Sequence, residues 1–187
     1  MSTFATHFSV MLDTLITSKT RIKLLLKFFL NSNNTGYLRD LEGDFRESTN
    51  AIRQELNRFE NAGLLKSVVK GNKKVFRANI SHPLFKDIHN ILLKYTGIDR
   101  VMDEVTSNLG GITSAYLVGD FARGDDSKII DLVLIGEKID KSYLMKLIDK
   151  AEKLVKRKIR YFILSGSETR EHLMEYPEAF LLWDKNK

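Results

Sequence analysis

The sequence predicts an α+β chain in two halves: helices that close in a β-hairpin, followed by a layer of alternating strands and helices. Three observations predict it. Apolar residues recur at helical spacing up to about residue 62, and two β-prone runs then flank a Gly-Asn pair. Beyond residue 110, short apolar runs of strand length alternate with helical patterns. Charge divides in the same place: residues 1–100 carry 16 Lys+Arg against 9 Asp+Glu, and residues 101–187 carry 14 against 15. The formal net charge of +6 at pH 7 therefore sits in the first half, which points to a polyanionic partner there and different work in the second half.

Composition bounds the remaining classes. With 187 residues, 43% hydrophobic and 29% charged, the chain can bury one large core or two small ones and is neither disordered nor fibrous. Zero cysteines exclude disulfide frameworks, thiolate metal sensors and Cys nucleophiles. The best apolar run, Leu24–Leu30, contains Lys27 and falls far short of the ~20 residues of a membrane span. Met1–Val10 shows no basic segment followed by an apolar stretch, so no secretory signal is read. The expectation is a cytoplasmic protein without membrane contact, divided into residues 1–97 and 98–187.

In the first half, Ile22, Leu25, Leu26 and Phe29 stripe one face of a helix over Ser18–Asn31, with Ser18 as its N-cap. The cluster Asn31–Gly36 breaks it. A short second helix spans Tyr37–Asp44, and Ser48 or Thr49 caps a third that runs to about Ala62. In that helix Ile52, Leu56 and Phe59 point inward, while Asn50, Arg53, Gln54, Asn57 and Arg58 point outward. Gly63 supplies the left-handed residue that ends it. The hairpin Leu65–Ala78 turns at Lys70-Gly-Asn-Lys73, and a further helix runs from Pro83 to about Tyr95.

In the second half, a short helix over Asp99–Asn108 leads to a strand at Ser114–Val118, then to a loop from Gly119 to Ser127. Ile129–Ile135 is apolar except for Asp131, as suits a strand covered on both faces. Asp140 caps a helix over Lys141–Arg157 with Tyr143, Leu144, Leu147, Ile148, Ala151, Leu154 and Val155 as its buried positions. A strand at Ile159–Leu164 follows, and the tail from Ser167 reads as helical. Phe180, Leu181, Leu182 and Trp183 are expected in packing or a dimer contact. The basic helix end Lys153, Lys156, Arg157 and Lys158 reads as a solvated terminus.

Helix, short helix, polar-faced helix and basic hairpin is the order of a winged helix-turn-helix. A helix fits the major groove, where Asn, Gln and Arg can read base edges, and the third helix offers Asn50, Arg53, Gln54 and Asn57 for this, flanked by Arg58. Ser48 and Thr49 at its start suit phosphate contact. Lys70, Asn72, Lys73 and Lys74 form a cationic wing tip, whose phosphate contacts would make binding salt-dependent. The run Leu56-Asn-Arg-Phe-Glu-Asn-Ala-Gly-Leu-Leu65, followed by that hairpin, resembles winged-helix repressors of the ArsR type over roughly residues 18–95. The resemblance implies a double-stranded DNA partner and a homodimer reading paired half-sites. Metal sensing, which in that family uses cysteine or clustered histidines, does not fit zero cysteines and the scattered His7, His82, His89 and His172.

The stretch Val118-Gly-Asp-Phe-Ala-Arg-Gly-Asp-Asp-Ser-Lys-Ile-Ile-Asp-Leu-Val-Leu-Ile-Gly136 resembles the signature of minimal nucleotidyltransferases of the polymerase-β type, over roughly residues 101–165. In that family a strand ends in Gly-Ser, a Phe/Tyr-Ala-Arg-Gly turn follows, and the next strand carries Asp-x-Asp, with a third carboxylate from a later strand. The turn cradles triphosphate and the carboxylates hold divalent ions for in-line transfer. Here Gly119 and Phe121-Ala-Arg-Gly124 match, but Asp120 replaces Ser. Ile129 replaces the first acid and only Asp131 remains, while Arg160-Tyr-Phe-Ile-Leu164 holds no acid. Asp125 and Asp126 lie on the loop, off any matching strand position. The resemblance therefore implies a catalytically degenerate module with Gly119, Asp120, Arg123, Gly124 and Asp131 as a vestigial nucleotide pocket. No catalytic residue, metal site or cofactor is expected, and Asp131 is expected to pair with Arg123.

The preferred reading is a transcriptional regulator whose second half serves dimerisation or senses a small molecule or nucleotide. The alternatives are an active nucleotidyltransferase with a winged-helix substrate-binding domain, and a protein-interaction adaptor.

Overall fold

The computed structural model describes residues 12, 14–166 and 168–186. The reading of Met1–Val10, His7 and Ser167 lie outside the described residues.

The first half begins with α1 (Lys19–Leu25), which Ser18 caps by accepting from the Arg21 N–H at 3.2 Å. The helix widens into a π-helical stretch, Leu26–Leu30, that buries Leu26, Phe28, Phe29 and Leu30. Strand β1 (Thr35–Tyr37), helix α2 (Leu38–Phe45) and helix α3 (Thr49–Asn61) follow, then the hairpin β2 (Leu65–Lys70) and β3 (Lys73–Ala78). The small strand β1, which the sequence pattern does not announce, joins the hairpin in an antiparallel sheet of order β1-β3-β2. Three helices and a three-stranded wing make this half a winged helix-turn-helix.

Helices α4 (Phe85–Thr96) and α5 (Ile98–Asn108) lead to the second half. It holds β4 (Ile112–Val118), the one-turn helix α6 (Gly119–Arg123), β5 (Ile129–Gly136), α7 (Lys141–Val155), β6 (Lys158–Leu164), α8 (Thr169–Met174) and β7 (Phe180–Asp184). The sheet order is β6-β5-β4-β7: β5 and β6 run parallel across α7, and β4 is antiparallel to both β5 and β7. An antiparallel pair beside a βαβ unit, with helices on its faces, is the nucleotidyltransferase-like α/β layer.

Several expectations shift here. The loop after β4 starts as a helix, since Phe121 and Ala122 are buried beneath it. The tail is only briefly helical. Phe180–Asp184 pairs with the free edge of β4, which buries backbone polar groups that a surface helix would have left alone. Tyr143 is exposed, because α7 presents Leu144, Leu147, Ile148, Ala151 and Val155 to the core.

One apolar core crosses both halves, from Ile22 and Phe29 through Phe121 and Val105 to Leu147 and Ile159. At the seam the fit is polar and tight. The Asn31 side-chain amide, 1% exposed, donates to the Ala122 carbonyl at 2.9 Å and to the Glu178 carbonyl at 2.8 Å. Asn34 donates to Ala122 and to Lys27 carbonyls, both at 3.0 Å. Gly124, at φ +88°, lies so close to Lys27 that a Cβ there would run into its backbone. His89 Nδ1 meets the Phe29 carbonyl at 2.9 Å, and since a carbonyl only accepts, that nitrogen carries the proton.

Removing the Asn31 amide would take a donor from the Glu178 carbonyl and leave the Ala122 carbonyl to Asn34. Asn31→Ala is expected to cost about 2 kcal/mol or more in urea unfolding. Asn31→Asp, which keeps the shape but sets a carboxylate against two carbonyl oxygens, is expected to cost more than the alanine at pH 7. Wild-type stability in either variant would refute this account of the seam.

Candidate functional site

Two places carry the residues singled out by the sequence. The first is the outer face of α3 with the wing. Ser48 is the N-cap of α3, its hydroxyl accepting from the Ala51 N–H at 3.2 Å. Ile52, Leu56 and Phe59 anchor the inner face, so Asn50, Arg53, Gln54, Asn57 and Arg58 all stand in solvent. Arg53 and Gln54 have no side-chain partner among the described residues. Arg58 instead reaches Glu55 at 2.9 Å.

Glu55 is a buried charged residue that sequence patterning missed. It takes a two-pronged contact from Arg21, Nε–Oε2 at 2.9 Å and Nη2–Oε1 at 3.1 Å, which fastens α3 to α1. Burial pushes the Glu55 carboxyl up, but the hydrogen bonds and charges of Arg21 and Arg58 outweigh it and hold the group below its ordinary value.

The wing is less uniformly free than three neighbouring lysines suggest. Lys74 turns back to Glu60 on α3 at 2.6 Å, and Glu60 also accepts from the Ser67 hydroxyl at 2.5 Å. These contacts lower the Glu60 pKa and brace the hairpin against the helix. The Lys73 ammonium sits 4.1 Å over the Tyr37 ring. Lys70 and Asn72 stay exposed at the tip, with no partner among the described residues. Between α2, α3 and the wing lies an open cleft of about 630 Å³.

The second place is the end of the four-stranded sheet. The ladder aligns Val118, Asp131 and Arg160 across β4, β5 and β6. Asp131 does not pair with Arg123 as expected. The Arg160 guanidinium holds it in a fork, Nε–Oδ1 at 2.6 Å and Nη2–Oδ2 at 3.0 Å. The parallel register puts Arg160 directly beside Asp131, whereas Arg123 lies on α6 one turn after Asp120 and pairs with it. Gly119 closes over this pair at φ +70°, and a Cβ there would meet Asp131 Oδ2 at 2.5 Å.

The turn above is filled by the chain itself. Glu178 Oε1 accepts from the Gly119 N–H at 3.3 Å and from Arg123 at 3.2 Å. The loop acids are also engaged. Asp126 pairs with Arg157 at 3.1 Å, and Arg157 lies over the Phe121 ring. Asp125 has its pKa raised by burial, aided by the nearby Asp44 and opposed by Lys27. No three acids or histidines converge as a metal-binding group among the described residues. A lone carboxylate neutralised by a guanidinium lacks the paired acids that a two-metal clamp requires.

Sequence reasoning missed Arg160, Glu178, Glu55 and Asn31. Arg160 had a signal: parallel strands of similar length joined by one helix set residues near their starts side by side. Glu178 had none, because its place depends on β7 docking against β4.

No family model matches the chain, and no curated protein does. Among solved structures it is similar to reduced HlyU from Vibrio cholerae N16961, at 17% identity and TM-score 0.36, covering 48% of this chain and 88% of that one. It is also similar to a candidate nucleotidyltransferase from Sulfolobus solfataricus, at 19% identity and TM-score 0.35, covering 49% of this chain and 80% of that one.

The lowered Glu55 pKa sets a pH dependence. The unfolded carboxyl titrates near ~4.3, and the folded one lower. Its stabilising contribution is therefore full above that unfolded value and fades as pH falls through the folded one. Glu55→Gln is expected to cost about 2 kcal/mol at pH 7, and the gap from wild type should narrow below about pH 4. Urea unfolding at both pH values measures it, and a pH-independent gap would contradict the assignment.

Proposed function

We propose that the protein is a DNA-binding transcriptional regulator whose second half is a nucleotidyltransferase-like module without transferase activity. The observation that carries the reading is the exposed row Asn50, Arg53, Gln54 and Asn57 on α3. That helix is fixed by the buried Glu55–Arg21 fork and stands beside a wing with Lys70 free at its tip. A rigid helix bearing base-reading side chains belongs in a major groove, and an adjacent cationic hairpin belongs on the phosphate backbone. The charge split supports the same assignment, since the excess of cations lies in this half.

One such helix reads one half-site, so the working form is a homodimer on paired half-sites about one helical turn apart. In the second half, Arg160 stands against Asp131 and Glu178 fills the Gly119 turn, which supports a role in assembly or ligand sensing over phosphoryl chemistry. No helix among the described residues is long and apolar enough to cross a membrane.

Mobility shifts against a selected duplex and random DNA, repeated across salt concentrations, test the reading. Arg53→Ala is expected to cost about 1–3 kcal/mol on the selected duplex and little on random DNA. Lys70→Gln should weaken both alike and reduce the salt slope by about one. Failure of the wild-type protein to retard any duplex at low salt would overturn the proposal.

The chemistry is tested separately. With Mg²⁺ and labelled nucleoside triphosphates, no nucleotide transfer is expected. Transfer that Asp131→Asn abolishes would restore the enzyme reading.

A further inference from the structure

Helix α4 carries more apolar surface than its own chain uses. Its inner side is settled: Leu92 and Thr96 are each 1% exposed, and the Phe85 and Phe29 rings pack with centroids 5.8 Å apart. About a quarter-turn round the helix stand Leu84, at its N-cap, then Ile88, Ile91 and Tyr95, at successive spacings of four, three and four residues. Leu84 is 53% exposed and Ile91 39%, while Ile88 and Tyr95 are half-buried. Such a spacing averages the 3.5 residues of a seam between two helices lying along one another. The charges beside the seam say which way a second helix runs. One flank, Phe85 and Leu92, is turned into the chain's own core, and the other exposes Asp87 and Lys94. Among the described residues Asp87 has no ion-pair or hydrogen-bond partner, and the Lys94 ammonium meets only Asp99, at 3.5 Å. A parallel copy would set Asp87 beside the partner's Leu92, with no charge to meet. An antiparallel copy layers Ile88 on the partner's Ile91 and Leu84 on the partner's Tyr95, and it brings each Asp87 beside the partner's Lys94. The stripe and its charges are thus complementary to themselves about a twofold axis, which is the requirement for an interface between identical chains.

We propose that α4 is the self-association helix of this protein, and that its occupant is α4 of a second copy, antiparallel, with Leu84, Ile88, Ile91 and Tyr95 in the seam and two Asp87–Lys94 pairs closing its open flank. This gives the homodimer of the DNA-binding reading its surface and rests on that reading for its purpose. The seam itself is argued from α4 alone, so the two can fail separately. None of its residues belongs to the face assigned to DNA.

The test is sedimentation equilibrium of the full chain at low salt, where exposed charge pairs are least screened. The wild-type protein should be a dimer at micromolar concentration. Asp87→Lys sets two lysines together at both ends of the seam, and Lys94→Asp sets two acids there. Each should raise the dimer dissociation constant at least tenfold. Asp87→Lys/Lys94→Asp, which restores both pairs in swapped order, should return it to within threefold of wild type. Both positions are exposed, and a thermal melt checks that each variant folds. Ile91→Asp, which places a charge in the middle of the seam, should give a monomer. A wild-type monomer, single swaps without effect, or a double swap as weak as the singles would overturn the seam. A seam that passes in a protein retarding no duplex would uphold this inference and overturn the DNA-binding reading. Duplex retardation by a dimer indifferent to the swaps would do the reverse.

Discussion

The Asn31 side chain is the point on which the two halves of the structure depend. Its amide spans a carbonyl from α6 and a carbonyl from the segment before β7, at the end of the helix that supports the winged half. An amide with two donors suits this place: it reaches two carbonyls from distant segments at once, the Ala122 bond being buried and the Glu178 bond partly so. The same bond fixes the Glu178 backbone and so directs its carboxylate onto the Gly119 N–H and Arg123. One buried residue thus organises both the joint between the halves and the closure of the Gly119 turn.

Beneath that closure, the sheet carries one carboxylate together with its own counter-charge. Asp131 lies on a strand that is apolar apart from it and buried from Ile130 onward, where an unpaired charge would be costly. A divalent ion would neutralise a cluster of carboxylates there, but a lone carboxylate needs only one positive charge. Arg160, adjacent in the parallel ladder, brings that charge on the chain itself, with most of its own side chain in water at 66% exposure. In the turn above, Glu178 plays the reciprocal part, an internal anion for N–H and guanidinium groups that would otherwise face solvent.

Much of this was legible in the sequence wherever the signal is local. Ser18, Ser48 and Asp140 announce helix starts, and each side chain accepts the backbone hydrogen bond expected of it. The exposed face of α3 followed from apolar spacing alone. What escaped has a common cause. Glu55 sits on a polar-looking helix position and is buried only because Arg21, 34 residues earlier, reaches it. Glu178 and Asn31 meet across 147 residues, and β1 exists only because the hairpin offers it an edge. Pairings set by tertiary docking leave no periodic trace in either partner.

The distribution of satisfied and unsatisfied charge then separates scaffold from function. In the second half, Arg123, Arg157 and Arg160 each have an acidic partner, and the acids of the signature loop are engaged or sheltered. In the first half, Glu55 takes up Arg21 and Arg58, and Glu60 takes up Lys74. Those pairs hold α3 and the wing in fixed positions, with Arg39, Arg53 and Lys70 exposed beside them. These three stand on that rigid frame with no acidic partner among the described residues, which is the distribution that the proposed anionic partner would require.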